Sequence, residues 1–264
     1  MIEKIKEYWE NQAKEHVGKP TATLNDTYLR KLEIDTFINK IAELDLKNKI
    51  RILDVGCGDG YSTLHIAQEY PQHTFLGVDY CENMIKNAQG RIKKSKEKLH
   101  VIDFKQADVL KLSKTVPENS FDLAMSDRCI INLHTEENQH TAIVNIAKTL
   151  KKGGYYLAIE NFMDGHNCMN ETRRSVGLQD IPVKWHNIFF TEERFRKSVG
   201  EFFDILEINN FSSSYYLATR VLYAGMCKLQ GKEPGYEHEL YKIASKLPKF
   251  GNFSPIKLVV MRRK

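Results

Sequence analysis

The chain has 264 residues, of which 42% are hydrophobic and 28% are charged, as is ordinary for a soluble globular protein. Its net charge of +5 arises from 39 Lys and Arg against 34 Asp and Glu, and this excess is too small to predict a nucleic-acid-binding surface. No apolar run approaches the roughly 20 residues of a membrane span, and the charged N-terminus has no apolar signal core. The five scattered cysteines form no CxxC pair. We therefore expect a cytoplasmic protein without a membrane span, disulfide framework or zinc site.

Short apolar runs alternate with helical patterns through the first 160 residues. The pattern predicts strands at 50–55, 74–79, 101–108, 121–127 and 155–160. It predicts helices at 61–70, before Pro71, at 82–97, and at 136–150, where LKKGG gives a glycine stop. Strands that alternate with helices indicate parallel pairing with helices on both faces of the sheet.

The pattern changes after residue 160. About thirty residues, 160–190, show no clean period, and Thr191 followed by two glutamates predicts a helix start. Strands are then predicted at 202–211 and 254–263, with helices at 214–231 and about 236–246 between them. The predicted fold is α/β, a doubly wound and mostly parallel seven-stranded sheet with a helical cap or insert.

The glycine-rich stretch DVGCGDG, residues 54–60, follows the first predicted strand. Ligands bind beyond the carboxyl ends of such strands, and glycines let the backbone turn sharply and approach a ligand closely. The spacing is G-x-G-x-G, with Tyr61 where a dinucleotide fingerprint has its third glycine. Asp54 and Asp59 would repel a pyrophosphate and suit a cation. S-adenosyl-L-methionine carries a sulfonium and an ammonium and no phosphate, so the loop favours it over NAD.

DVGCGDG after an apolar strand resembles motif I of the class I S-adenosylmethionine-dependent methyltransferases. FLGVD, KQADVL, FDLAMSDRCIINL and LKKGGYYLAIE resemble the other motifs of that family, in order, so the resemblance covers about residues 30–160 plus the last strands. It implies that Asp79 holds the ribose hydroxyls, that Asp108 lies beside the adenine amino group, and that the segment after the fourth strand lines the methionine part. The expected cofactor-binding residues are Arg30, Asp54, Gly56, Cys57, Gly58, Asp79, Tyr80, Met84, Asp108, Val109 and Ser126.

Each of these residues also has a plainer interpretation. Asp79 could cap a helix, Asp108 could be a turn residue, and Met84 and Val109 could be core. Arg30 could bind the methionine carboxylate through its guanidinium or lie solvated on a helix. The resemblance and the pattern together divide the chain into an N-terminal helical lid (1–45), a cofactor-binding core (46–160), a substrate-side insert (161–200) and the last strands with a helical insertion (201–264).

The methyl acceptor is predicted from the segments that follow strands four and five. SDRC at 126–129 lacks the proline pair of nucleic-acid amino methyltransferases and the Pro-Cys nucleophile of cytosine C5 enzymes, and no cluster has metal-ligand spacing. An alcohol acceptor needs a base, and a neutral imidazole between aromatic residues suits that role. The candidate catalytic residues are therefore His186, His134 and Arg128, in that order for the two histidines.

Other polar residues of this region, including Glu160, Asn161 and His166, are candidates to contact the acceptor. Arg128, Arg173 and Arg174 suggest an anionic acceptor such as a phosphorylated or nucleotide-linked sugar, although they could equally be surface charges. Each candidate histidine could likewise be an ordinary surface or core residue.

The leading prediction is O-methylation of a small, anionic or sugar-like acceptor. The insert and tail faintly resemble methyltransferases that decorate bacterial surface polysaccharides, which implies a role in polysaccharide biosynthesis. The alternatives are a quinone, amine or lipid-linked acceptor, with residues 215–223 as an apolar cap, or a non-catalytic cofactor-binding subunit. A homo-oligomer stays open.

Overall fold

The computed structural model describes residues 2–19, 21–46, 48–95 and 101–264. Within them, seven strands form one sheet in the order β3-β2-β1-β4-β5-β7-β6. The strands are β1 (Arg51–Val55), β2 (Thr74–Asp79), β3 (Ile102–Gln106), β4 (Phe121–Asp127), β5 (Leu150–Asn161), β6 (Phe203–Asn209) and β7 (Ile256–Arg263). Strands β1 to β5 pair in parallel, whereas β7 lies antiparallel between β5 and β6. The predicted fold class is confirmed.

The helices lie before, between and after the strands. They are α1 (Ile2–Glu15), α2 (Thr27–Glu43), α3 (Tyr61–Glu69), α4 (Glu82–Lys94), α5 (Glu136–Thr149), α6 (Met163–Ser175), α7 (Glu192–Val199), α8 (Ser213–Tyr216), α9 (Ala224–Leu229) and α10 (Glu239–Ala244). Asp26, Thr135 and Thr191 begin α2, α5 and α7, and each side chain accepts a hydrogen bond from a backbone N–H of the first turn. These side chains satisfy donors that a helix start otherwise leaves free.

The core has two halves, one on each face of the sheet. In β1, Ile52 belongs to the half that α2 and α3 cover, and its neighbour Leu53 belongs to the half that α5 and α7 cover. Both side chains are fully buried. Successive residues of a strand point to opposite faces, so a strand buried on both sides reads as the continuous apolar run seen in the sequence.

The structure differs from the predicted elements in several places. The stretch without a clean period contains α6, whose sequence is too polar to show an apolar stripe. The LKKGG segment does not stop α5, because Leu150 already has extended backbone and β5 begins there. The predicted helix 214–231 is interrupted by a π-helical segment, Leu217–Tyr223. Helix α4 ends at Lys94, and residues 96–97 of its predicted range lie outside the described residues.

Candidate active site

The glycine turn after β1 needs residues without a side chain. Gly56, Gly58 and Gly60 have φ of +75°, +55° and +72°, in the left-handed region that favours glycine. The Val78 carbonyl accepts the N–H groups of both Gly56 and Cys57, at 2.8 and 3.0 Å, which fixes the turn against β2. A Cβ on Gly56 would lie 2.4 Å from the Cys129 Sγ. The turn therefore packs closely against Cys129 of the loop after β4, and Gly56 also borders the cavity described below.

Asp79, at the end of β2, is tied to that turn. Its carboxylate accepts the Gly58 N–H at 3.0 Å and the Cys81 N–H at 2.9 Å. Burial raises the pKa of Asp79 to about 6, against the effect of these two donors. The two hydrogen bonds fix the plane of the carboxylate, which can still accept further hydrogen bonds from a ligand.

The two acids of the glycine stretch have different surroundings. Asp54 borders the cavity described below and accepts the Thr63 hydroxyl at 2.5 Å, and burial raises its pKa to about 7. Asp59 instead forms an ion pair with Arg91 and does not border that cavity. The argument that both acids face a cationic ligand is therefore wrong for Asp59, because Arg91 already neutralises it.

A cavity of about 580 Å³ opens beyond the carboxyl ends of β1 to β5. An aspartate from each of the first four strand ends borders it, namely Asp54, Asp79, Asp108 and Asp127. The side chain of Asp108 also accepts the Leu110 N–H two residues later, so Asp108 both stabilises a local turn and borders the cavity. The predicted cofactor residues that border the cavity are Arg30, Asp54, Gly56, Cys57, Gly58, Asp79, Tyr80, Met84, Asp108 and Val109.

Ser126 is the predicted cofactor residue that the structure does not bring to the cavity. It is fully buried, with its hydroxyl 2.8 Å from the Tyr156 hydroxyl and donating to Glu160 Oε1 at 3.1 Å. Glu160 also accepts the N–H groups of Ile130 and Ile131, at 3.0 and 3.2 Å. Glu160 therefore holds the loop after β4 in place, and Ser126 supports Glu160. The prediction that Ser126 contacts the cofactor is corrected, because its side chain supports this loop instead.

Arg30 lies on α2 and is almost completely buried, so the interpretation as a solvated surface arginine is wrong. It donates to the Thr23 hydroxyl, and its guanidinium lies 5.5 Å from the centre of the Tyr61 ring. Its Nε has no partner among the described residues. A buried guanidinium with a free donor at the cavity fits a carboxylate ligand.

Helix α1 forms one side of the cavity. The Glu10 carboxylate accepts the N–H groups of Glu82 and Asn83, at 2.8 and 3.1 Å, and so caps the start of α4. Trp9 borders the cavity and its indole donates to Asn132 Oδ1 at 3.2 Å, in the loop after β4. These contacts hold α1 between the two loops that carry predicted binding residues.

All three predicted catalytic residues border the same cavity. His186 is buried, with ring centres 4.9 Å from Tyr8, 5.6 Å from Trp9 and 5.2 Å from Trp185. Burial and the nearby Lys184 lower its pKa to about 4. At this pKa the imidazole is neutral at pH 7 and is a weak base. His134 is partly buried.

Arg128 has a φ of +50° and lies between two acids, 3.1 Å from Glu33 and 3.4 Å from Asp127. Burial lowers the pKa of Lys184 and the charge of Arg128 lowers it further, and both residues border the cavity. Arg220 is a third cation there, paired with Asp26 at 2.5 Å. Together Arg128, Lys184 and Arg220 form what we call the cationic wall.

Arg173 and Arg174 do not border the cavity, so their predicted part in anion binding is wrong. Arg174 is exposed and pairs with Asp180 at 2.7 Å, and Arg173 donates to the Arg220 carbonyl. Sequence reasoning missed Lys184 and Arg220. Lys184 lies two residues before His186, within the segment already singled out, whereas Arg220 lies in a helical stretch where no local pattern marks it.

None of the helices in the described ranges combines the length and the apolar character that a membrane crossing requires. In the same ranges, no group of three His, Cys, Asp or Glu side chains could hold a metal ion. Burial raises the pKa of the Cys129 thiol, which keeps it protonated beside Gly56 and disfavours a nucleophilic thiolate.

Comparison with known proteins identifies the family. The family described as "Methyltransferase domain" matches residues 46–189, more than half of the chain. The chain therefore belongs to this family of class I S-adenosylmethionine-dependent methyltransferases. The predicted family is confirmed, and with it S-adenosyl-L-methionine as the cofactor of the family.

Two curated methyltransferases match about two thirds of this chain or less. Phosphoethanolamine N-methyltransferase of Plasmodium falciparum is 28% identical over 177 residues, which are 66% of this chain and 58% of that protein. Malonyl-[acyl-carrier protein] O-methyltransferase of Priestia megaterium is 24% identical over 160 residues, 59% of this chain and 54% of that protein. The chain thus spans little more than half the length of these relatives.

A solved structure extends the likeness over the whole chain. Magnesium protoporphyrin IX methyltransferase of Synechocystis, with bound SAH, has a TM-score of 0.65 at 12% identity, and the match covers 99% of both chains. The [4+2]-cyclase SpnF has a TM-score of 0.58 at 21% identity, covering 86% of this chain and 80% of that one. At these identities the likeness shows the fold alone, and a fold hosts more than one activity.

Proposed function

We propose that this chain transfers a methyl group from S-adenosyl-L-methionine to a small anionic acceptor in the cavity of about 580 Å³. One observation carries the proposal: the strand-end aspartates and the cationic wall border the same cavity. The first set suits a sulfonium donor and the second an anionic acceptor. Transfer is an in-line displacement in which the acceptor atom attacks the methyl carbon and sulfur leaves as a neutral thioether. The chain's part is to align the two and exclude water.

On the donor side, we assign the ribose hydroxyls to Asp79 and the methionine carboxylate to Arg30. The two backbone N–H groups that Asp79 accepts leave capacity for two hydroxyl donors. The free Nε of Arg30 is a donor without an acceptor among the described residues. Met84 and Val109, both buried and both at the cavity, suit the two faces of the adenine.

On the acceptor side, the three residues of the cationic wall differ in whether an acid already neutralises them. Arg128 pairs with Glu33, and Arg220 pairs with Asp26, whereas no ion pair is found for Lys184 in the described part of the chain. An anion beside Lys184 would balance it and relieve its repulsion with Arg128. The relatives' names fit the same class, because phosphoethanolamine carries a phosphate and a malonyl group carries a carboxylate.

We propose O-methylation of a sugar-like acceptor, in surface-polysaccharide metabolism, as the first case to test. The hydroxyl proton would pass to His186, or else to His134, as the bond to the methyl carbon forms. The second case is an anionic amine, which needs no strong base once it is unprotonated. The low pKa of His186 and the named relative that methylates a nitrogen favour this second case.

Two experiments test the cofactor and the acceptor separately. Calorimetry with S-adenosylhomocysteine and NAD should show binding of the first only. A screen with labelled methyl donor should then compare sugar nucleotides, sugar phosphates, phosphoethanolamine and a malonyl thioester with neutral sugars and quinones. Transfer to anionic compounds alone supports the proposal, and a Lys184→Ala variant should raise their KM while Lys151→Ala, an exposed control paired with Asp122, leaves it unchanged. Transfer to a neutral acceptor only, or binding without any transfer, contradicts it.

A further inference from the structure

His166, in the first turn of α6, is a buried imidazole at the cavity that no step above uses. One ring nitrogen, Nε2, lies 3.2 Å from the side-chain nitrogen of Asn170, one helical turn later. The other, Nδ1, is buried without a hydrogen-bond partner among the described residues. Phe189 packs edge-on against the ring, with centres 5.3 Å apart, and so limits its rotation.

The orientation of the Asn170 amide is fixed by the backbone. Its Oδ1 accepts the Ile181 N–H at 2.9 Å, and its Nδ2 donates to the Ile181 carbonyl at 3.1 Å. Exchanging the oxygen and nitrogen would set donor against donor and acceptor against acceptor at both contacts. The group that faces His166 is therefore an NH₂ donor, and His166 Nε2 must accept its hydrogen.

This contact determines where the imidazole carries its proton. An imidazole nitrogen that accepts a hydrogen bond has no hydrogen of its own, so in neutral His166 the hydrogen is on Nδ1. Burial lowers the pKa of His166, and the Ile181 carbonyl and Asp180 act in the opposite direction. The Nδ1–H is thus a buried donor whose acceptor is missing from the described residues. Leaving such a donor unpaired costs about 1–3 kcal/mol.

We propose that His166 Nδ1–H binds an oxygen of the methyl acceptor and selects for acceptors that present a lone pair at that place. The role rests on the proposed function, because it uses the same cavity. Asn161, at the end of β5, supports it, since its Oδ1 is also buried without a partner in the described part of the chain and the residue borders the cavity. A donor and an acceptor on this side of the cavity match a hydroxylated or oxyanionic group. A protonated amine at the Nδ1–H would be rejected, because it has no lone pair.

The tautomer can be measured on the protein without any acceptor. Long-range ¹H–¹⁵N correlation spectra of the ¹⁵N-labelled chain, with the His166→Phe variant assigning the signal, should show Nδ1 protonated and Nε2 unprotonated. Added inorganic phosphate, in the presence of S-adenosylhomocysteine, should shift the Nδ1–H resonance. A protonated Nε2, or an Nδ1–H signal that phosphate leaves in place, overturns the proposal.

Substitutions of His166 provide a second test of the proposal. His166→Phe keeps the ring volume and removes the donor, and should weaken phosphate binding about tenfold, whereas His166→Asn, which keeps an N–H near the Nδ1 position, should lose less. His140→Phe, at an exposed histidine outside the cavity, is the matched control. Affinity for S-adenosylhomocysteine should stay constant in all three. Equal loss in the Phe and Asn variants would mean that ring packing, not the hydrogen bond, is what matters. If the chain fails to bind S-adenosylhomocysteine, the proposed function fails while the tautomer assignment stands.

Discussion

Asp79 accepts a hydrogen bond from the backbone N–H of Gly58 across 3.0 Å. The bond joins the end of β2 to the turn after β1, two places that lie 21 residues apart in the chain. The carboxylate is therefore positioned before any ligand arrives. Binding of a ligand's hydroxyl groups then does not cost the conformational entropy of ordering this side chain.

Replacing Asp79 should weaken cofactor binding. We expect Asp79→Asn to lower the affinity for S-adenosylhomocysteine at least tenfold, about 1.4 kcal/mol, since an amide accepts through one oxygen only and turns its NH₂ towards a donor. Calorimetry measures the affinity. Asp103→Asn, at an exposed acid in β3, is the control. An unchanged affinity in Asp79→Asn would contradict the assignment to the ribose.

The donor side of the site was predictable because its signals are local. The glycines at 56, 58 and 60 and the acids at strand ends each follow an apolar run, and parallel strands bring their carboxyl ends to one edge. The prediction for Ser126 was wrong for an equally local reason. Alternate residues of a strand face opposite sides, so a shift of one position in the sequence decides whether a side chain lies at the cavity or in the core. Its neighbours Met125 and Asp127 border the cavity, and Ser126 does not.

The acceptor side could not be predicted to the same degree. Arg220 owes its place to Asp26, which lies 194 residues earlier, and no spacing in the sequence marks that pair. Its side chain also lies 5.1 to 5.4 Å from the ring centres of Tyr216, Tyr236 and Tyr241, and the first two of these border the cavity with it. Arg220 itself lies in the π-helical segment Leu217–Tyr223. A π-helical segment in a helix that reads as continuous is not visible in hydrophobic periodicity.

Gly56→Ala should destabilise the fold. The new Cβ would meet the Cys129 Sγ at 2.4 Å, and φ of +75° strains any residue with a side chain. We expect a loss of about 2 kcal/mol or more in the free energy of unfolding, measured by urea denaturation. Gly90→Ala, inside α4 with open space around the added carbon, should instead gain up to about 1 kcal/mol. Equal effects in the two variants would contradict the steric account.

The pH dependence of binding should distinguish the charged donor from its neutral product. Burial raises the pKa of Asp54 to about 7, so the folded chain holds this proton at pH values where the unfolded chain has lost it. Its contribution to stability therefore falls as pH rises from about 4 towards 7. A sulfonium favours the ionised carboxylate, and S-adenosylhomocysteine has no such charge. We expect the affinity for S-adenosylmethionine to rise with pH through this range more steeply than that for S-adenosylhomocysteine.

Calorimetry with both ligands, in buffers of different ionisation heat, measures the proton released on binding. Asp54→Asn should remove the difference between the two pH profiles. Asp35→Asn, at a partly exposed acid of α2 paired with Lys31, should leave it in place. Parallel pH profiles for the two ligands in the unmodified chain would mean that the sulfonium charge does not interact with the Asp54 carboxylate.

His186 is the last residue whose role the geometry makes testable. If it accepts the hydroxyl proton, His186→Ala should lower kcat about 100-fold with the acceptor found by the methyl-transfer screen, and leave the affinity for S-adenosylhomocysteine unchanged. Burial and Lys184 hold its pKa at about 4, so Lys184→Ala should raise that pKa, which an NMR titration of the imidazole measures. An anionic acceptor at the cationic wall would act in the same direction by offsetting the Lys184 charge, making His186 a stronger base when the acceptor is bound. His140→Ala, at an exposed histidine outside the cavity, should change neither quantity. Full turnover in His186→Ala would remove it as the base and favour His134 or an acceptor, such as an amine, that needs none.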